Sequence, residues 1–149
     1  MTAIRTRHAT FDDLNAILPM FEAYRASYGE TPRVEDARQF LRERCVLGES
    51  KVIVAERDGR LVGFTQLFPS FSSVTLQRLW ILNDLFVDAD VRGVGVGRRL
   101  LQAAADFGRE ANAKQLFIEG AITNVNARGL YESFGFVRNS EYAYYHYPL

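Results

Sequence analysis

A single cysteine, Cys45, excludes a disulfide framework and any zinc site built on thiolates. No apolar run approaches the roughly 18 residues of a membrane span, and Met1-Thr2-Ala3-Ile4-Arg5 lacks the apolar core of a secretory leader. Neither sign of charge is in excess: 18 basic and 18 acidic side chains cancel, which disfavours a nucleic-acid binder relying on a basic face. The two histidines, His8 and His146, lie at opposite ends with no metal-ligand spacing, so no metal is expected. Internal repeats, low-complexity tracts and Pro/Gly/Ser-rich linkers are missing too. What is present is 149 residues, 48% apolar, enough for one domain, 1–149, that needs no covalent staple. A cytoplasmic globular domain is expected, with neither membrane nor nucleic acid as partner.

Along the chain, Thr2 to His8 suits a first strand. Thr10 can cap a helix with Asp13 at the reciprocal position, and Phe11, Leu14, Ile17, Leu18, Phe21 and Tyr24 follow at helical spacing. Pro19 inside that pattern implies a kink or an early stop. A second helix starts after Pro32 and runs through Ala37, Leu41 and Cys45, read as a packing residue, to a terminator at Gly48. Lys51 to Arg57 and Arg60 to Phe68 read as a hairpin around Asp58-Gly59, and Pro69 to Ser73 as a loop. A long strand lies within Val74 to Val87, and a helix follows Gly97. Gln115 to Glu119 is expected as a strand, Asn124 to Ser133 as a helix, and Phe136 to Tyr147 as one or two closing strands. This is an α/β layer in which an antiparallel meander feeds parallel crossovers.

Between strand and helix lies Arg92-Gly93-Val94-Gly95-Val96-Gly97. Main-chain N–H groups at a helix start are unpaired and the helix dipole favours an anion there, while glycine lets that anion approach. A Walker loop ends in Gly-Lys-Ser/Thr, but Gly97 is followed by Arg98-Arg99. A dinucleotide fingerprint needs a third glycine where this chain has Arg98 or Leu100. The pattern that fits is Arg/Gln-x-x-Gly-x-Gly/Ala, carried by Arg92, Gly95 and Gly97.

That segment resembles the pyrophosphate loop of the GNAT superfamily of N-acetyltransferases. Downstream, Asn124, Ala127, Leu130, Tyr131, Gly135 and Phe136 match every specified position of the family's second motif, Asn-x-x-Ala-x-x-Leu-Tyr-x-x-x-Gly-Phe. Upstream, Asp84-Leu85-Phe86-Val87 is similar to the strand entering the loop. The resemblance implies a mixed, mostly antiparallel sheet splayed between its fourth and fifth strands, with helices on both faces. It implies acetyl-CoA as co-substrate, an amine acceptor (small molecule or peptide) and a homodimer, since the last strands often help form dimers in this family. Phe68 to Val74, leading into Leu79 to Val87, is similar to the branch containing polyamine, histone-type and small-amine acetyltransferases.

Carried over residue by residue, the main chain of Leu85, Phe86 and Val87 would pair with the pantetheine arm. The N–H groups of Arg92, Gly93, Val94, Gly95, Val96, Gly97 and Arg98 would hold the pyrophosphate, with guanidinium help from Arg92 and Arg98; Arg99 reads as a solvated helix start. Asn124 would bind the cofactor arm and cap its helix. An alkyl ammonium with a pKa near ~10.4 has no lone pair, and freeing it at pH 7 costs roughly 4–5 kcal/mol, so a base is needed, and the departing thiolate needs an acid. Tyr131 matches the family's acid. For the base, Glu119 matches the glutamate of ribosomal-protein acetyltransferases and comes first. Asp84 comes second, and an ordered-water relay is the alternative. Polyamine acetyltransferases carry a glutamate where this chain has Asn83, a departure that weakens a strict polyamine assignment; Asp84 would point to the opposite face of a regular strand. Asn83, Asp84 and Glu119 are thus the candidate acceptor contacts. The rival readings are a non-catalytic acyl-CoA-binding regulatory module on the same fold, against which Tyr131 argues, and a dinucleotide-binding oxidoreductase, whose glycine count is wrong.

Overall fold

The computed structural model describes residues 3–120 and 122–149, in two compact units, Met1–Glu119 and Gly120–Leu149. The first unit runs β1 (Arg5–His8), α1 (Leu14–Ser27, entered through a 3-10 turn at Phe11–Asp13), α2 (Val34–Val46), β2 (Lys51–Arg57), β3 (Arg60–Ser72), β4 (Gln77–Val87), α3 (Val96–Glu110) and β5 (Leu116–Phe117). These strands form one sheet in the order β1-β2-β3-β4-β5, antiparallel except for the parallel β4–β5 pair. No helix among the described residues is long and apolar enough to cross a membrane.

Strand alternation distributes the core over two faces. Val54 and Phe64, paired across β2 and β3, pack with Ile17, Phe21, Ala37 and Leu41 of α1 and α2. On the other face, Gly63 of β3 lies under α3. A Cβ there would stand 2.8 Å from the Phe86 carbonyl oxygen and 3.2 Å from Leu100, so only glycine lets α3 and β4 come this close.

Three expectations along this stretch give way: the early stop at Pro19, the loop from Pro69 and the packing of Cys45. Helix α1 continues through Pro19: the carbonyl deprived of its donor belongs to Asn15, and both residues are exposed, so water can serve it. Strand β3 continues through Pro69, which pairs with Trp80. The Trp80 N–H donates to Gln115 on the β5 side, 3.2 Å away, so by ladder alternation Pro69 faces away from β4. Its pairing with β2 has ended by then, at Leu67, and no donor is needed there. Cys45 is exposed rather than packed.

The N-terminal corner is tied by charge. Arg7 grips Asp13 with two N–H groups (2.7 and 2.9 Å) and also reaches Glu56 at 2.8 Å, while Asp13 accepts the Thr10 N–H at 2.7 Å. The Arg7 guanidinium therefore holds the Asp13 carboxyl down at about 2. The stability this brings is present above the unfolded value near 4 and is lost as pH falls toward 2. Asp13→Asn should cost about 2 kcal/mol at pH 7, by ~1.36 kcal/mol per pK unit, and nearly nothing at pH 2. Urea melts of both proteins at the two pH values check this.

The second unit holds α4 (Val125–Phe134). Asn124 caps it, its side-chain oxygen accepting the Ala127 N–H at 3.2 Å, and the Phe136 N–H closes the other end on the Tyr131 carbonyl at 2.9 Å. The expected closing strands are not formed. Residues 136–149 carry no ladder among the described residues, and Tyr142, Tyr144, Tyr145 and Tyr147 are exposed. Tyrosine alone does not make a strand, because an unpaired one leaves its N–H and C=O groups to water.

Candidate active site

The sheet opens where β4 leaves β5. Their pairing is confined to Trp80–Leu116 and Ile81–Phe117, so from Leu82 onward β4 has no strand neighbour on that side among the described residues. The Asp88 N–H donates to Val62 at 2.9 Å, and by alternation Phe86 also bonds toward β3 while Leu85 and Val87 turn their main chain to the open edge. Of the three strand residues expected to pair with a ligand, Leu85 and Val87 turn their main chain to this edge and Phe86 does not. The Val87 carbonyl already accepts the Arg92 Nε–H at 2.9 Å, and the Arg92 guanidinium lies 5.8 Å from the Phe86 ring centre.

The glycine turn follows directly. Buried Val91 and Val96 anchor its two ends, and Gly93, Val94 and Gly95 between them are exposed. Gly95 sits at φ +90°, where a side chain is strained, and the position its Cβ would take is open space. The first intrahelical bond of α3 runs from the Arg99 N–H to the Gly95 carbonyl at 3.1 Å, leaving the N–H groups of Val96 and Gly97 ahead of the ladder. An unobstructed cradle at a helix start fits a phosphate group. Arg99 points elsewhere, donating to the Ile4 carbonyl at 3.3 Å.

On the α1/α2 side of the same sheet lies a cleft of about 410 Å³. Phe21, Tyr24, Phe40 and Phe68 line it, with the exposed Arg33, Asp36 and Asn83 and the half-buried Arg25 toward solvent and the buried Gln66 and Asp84 at its floor. The floor exists because β4 is irregular. Gln66 pairs with Asp84 and Leu67 with Leu82, so Asn83 is an extra residue, a β-bulge. The bulge breaks the alternation that would have separated neighbours, and Asn83 and Asp84 line the same cleft. Tyr24 fixes the bulge from α1, its hydroxyl donating to the Asn83 carbonyl at 2.9 Å.

Asp84 is 1% exposed. Burial pushes its carboxyl above the ordinary range, against hydrogen bonds from the Asn83 and Gln66 side-chain amides, each at 2.7 Å. A carboxyl so placed is a proton acceptor poised closer to neutrality than a surface aspartate. Glu119, by contrast, is exposed two residues beyond β5 and lines no part of this cleft. Gln66, Tyr24 and the aromatic walls were not singled out from the sequence; the signal for Gln66 was a polar residue inside the apolar strand Phe64–Phe68.

Asn124 and Tyr131 belong to the second unit. Tyr131 is half-buried, edge-on to Phe136 with ring centres 6.0 Å apart, and a Cβ on Gly120 would touch its ring at 3.5 Å. Among the described residues no three His, Cys, Asp or Glu side chains are grouped to hold a metal ion.

Residues 17–136 match the family model described as "Acetyltransferase (GNAT) family". The chain is 41% identical, over 93% of both proteins, to the uncharacterized N-acetyltransferase YhfO of Bacillus subtilis strain 168. It is 30% identical to the spermine/spermidine N(1)-acetyltransferase of the same organism, over 93% of this chain and 91% of that one. A crystal structure of a probable acetyltransferase superposes with a TM-score of 0.93 at 39% identity, covering 97% of both chains.

Proposed function

Because the chain belongs to the GNAT acetyltransferase family, we propose that it moves an acetyl group to a primary amine by direct attack while donor and acceptor are bound together, with all of 1–149 serving that one activity. The observation that carries this reading is the pairing of an unobstructed glycine turn on one side of β4 with a buried carboxylate in an aromatic cleft on the other.

Acetyl-CoA, which the family implies, supplies an acetyl thioester. The open N–H groups between Arg92 and Arg98 would hold its pyrophosphate, and the edge groups of Leu85 and Val87 its pantetheine arm; the turn's open geometry supports this. Asn124, already the cap of α4, would hydrogen-bond the arm by family resemblance. The acceptor enters over Asp84. Asp84 takes one proton from the ammonium and so frees the lone pair; as the nitrogen forms the new N–C bond and the C–S bond breaks, Tyr131 gives its proton to the departing thiolate and recovers one from the nitrogen, and Asp84 returns its proton to solvent. Asp84 is preferred to Glu119 as base because it lines the cleft and its affinity for a proton is raised. An N–H on the open edge of β4 would stabilise the oxyanion.

The test is thiol release from acetyl-CoA with a panel of arylalkylamines, polyamines, amino acids and peptides. Release with at least one acceptor is expected, and acetyl-CoA binding without release from any would favour the non-catalytic acyl-CoA-binding module. A second measurement isolates the turn. Gly95→Val should weaken acetyl-CoA binding tenfold or more by calorimetry and cost about 1–3 kcal/mol through strain at positive φ. Gly59→Ala, at φ +74° in the β2–β3 hairpin, carries comparable strain and should leave binding unchanged. Equal affinities for the two variants would remove the pyrophosphate from the turn.

A further inference from the structure

The bulge that brings Asp84 to the cleft is held by two side-chain hydroxyls. A bulge leaves its extra residue outside the ladder, and a main-chain carbonyl so released needs another donor. The Asn83 carbonyl accepts the Tyr24 hydroxyl of α1 at 2.9 Å. The next carbonyl, that of Asp84, accepts the buried Thr65 hydroxyl of β3 at 2.8 Å. The Tyr24 ring is itself set edge-on to Phe64 of β3, with centres 6.2 Å apart, and edge-on to Tyr28 at 5.1 Å. Helix α1 thus grips β4 at the residue beside the carboxylate.

What the fixed bulge achieves lies in the Asn83 side chain. Its Nδ2–H donates to Asp84 Oδ1 at 2.7 Å, while the Gln66 Nε2–H takes Oδ2 at the same distance. Neighbours in a regular strand point to opposite faces, so this contact lasts only while the bulge does. Burial raises the proton affinity of the carboxyl, and Asn83 and Gln66 oppose it by donating to the ionised form. Gln66 is buried within the sheet, whereas Asn83 is exposed and takes its aim from its own backbone. Resting on the reading of Asp84 as the base of acetyl transfer, we propose that Tyr24 and Asn83 are its positioning residues. The Tyr24 hydroxyl fixes the bulge, and the bulge keeps the Asn83 amide on the carboxylate. Asn83 then serves the base rather than the acceptor.

The carboxyl-carbon NMR signal of Asp84, identified by its loss in Asp84→Asn, reads this group directly in the substrate-free protein. Asn83→Leu nearly keeps the shape of the side chain and removes its amide. Its titration midpoint should move to higher pH, because the ionised form loses a donor. Asn83 is exposed and does not sit at positive φ, so the exchange brings no backbone strain. Tyr24→Phe keeps the ring and removes the hydroxyl; its midpoint should move the same way and by less. In the double variant the midpoint should stand where Asn83→Leu alone puts it, since the two residues act in series. Tyr28→Phe, a change outside the cleft, should leave it where it is. The charged groups around the floor, Glu22 and Arg25 on α1, Arg33 before α2 and Asp36 on it, are ion-paired at 2.8 and 2.7 Å and common to all these proteins; β3 contributes only the uncharged Thr65 and Gln66. With the panel amine that releases thiol fastest, the acid limb of kcat/KM should follow the midpoints. On the acid side of that limb, kcat/KM for Asn83→Leu should fall about tenfold.

An unmoved midpoint in Asn83→Leu overturns the inference while acetyl transfer stands. A midpoint unmoved in Tyr24→Phe, or shifts that add in the double variant, overturns the part given to Tyr24. The two single variants are read separately, so the failure of one to fold leaves the other to decide. Failure to release thiol with any amine overturns the acetyl-transfer reading itself, whatever the midpoints do, and takes the role of these two residues in it away.

Discussion

Asp84→Asn should lower kcat by about 10²–10⁴, the usual contribution of a positioned base, while the protein melts at the same temperature or higher. The two effects share one cause. Burial raises the Asp84 carboxyl above its ordinary value, so the ionised form is disfavoured in the folded state relative to the unfolded chain. That cost is absent below the unfolded value near ~3.9 and reaches its full size as pH rises through the folded value. Removing the charge should therefore raise the melting temperature at pH 8 and change it little at pH 4. Asparagine fits the space, and Gln66 can turn its amide to answer the new N–H, so an inactive but well-folded protein is the expected product. In the wild type the acid limb of kcat/KM should lie above the ordinary aspartate range and report this group; in the variant it should vanish. A variant that keeps most of its kcat, beside a Glu119→Gln protein that loses it, would return the base to Glu119.

Tyr131→Phe is the second large effect. The phenol is assigned to the leaving sulfur, and its removal should lower kcat on the order of 100-fold. The ring, half-buried and edge-on to Phe136, keeps its packing, so acetyl-CoA affinity should move little. The alkaline limb of the kcat profile should also be lost, because a phenol serving as acid must stay protonated. Unaltered turnover with an intact alkaline limb would take Tyr131 out of the chemistry and strengthen the case for a water molecule as acid.

What could be read from the sequence was what local chemistry fixes. Asp58-Gly59, with both φ positive (53° and 74°), specified the β2–β3 hairpin without help from any distant residue. Asn124 announced α4 because a cap satisfies its own helix. The glycine turn was legible for the same reason: its backbone conformation, with Gly93 and Gly95 at positive φ, is one the glycines themselves allow. Asp84 was harder. Whether it faces the cleft depends on the register of β4 against β3, and that register depends on an extra residue whose presence only the pairing reveals. The extension of β3 past Pro69 likewise depended on β2 having ended, a fact about a neighbour rather than about proline. Glu119 matches a family glutamate by its place along the chain, and a match along the chain carries no information on burial. The tyrosines near the C-terminus misled in the opposite direction, because strand propensity without a ladder partner decides nothing.

The extra residue in β4 also bears on how relatives are to be compared. Counted in twos back from Val87, Leu85 falls under α3 and so does position 83; counted in twos from Leu79 toward the C-terminus, the parity comes out reversed beyond position 83. Any role transferred between homologous proteins along this strand must therefore be reckoned separately on either side of that residue. A protein that lacks the insertion would show its neighbours' carboxylate at the wrong sequence offset even if the two clefts superposed atom for atom.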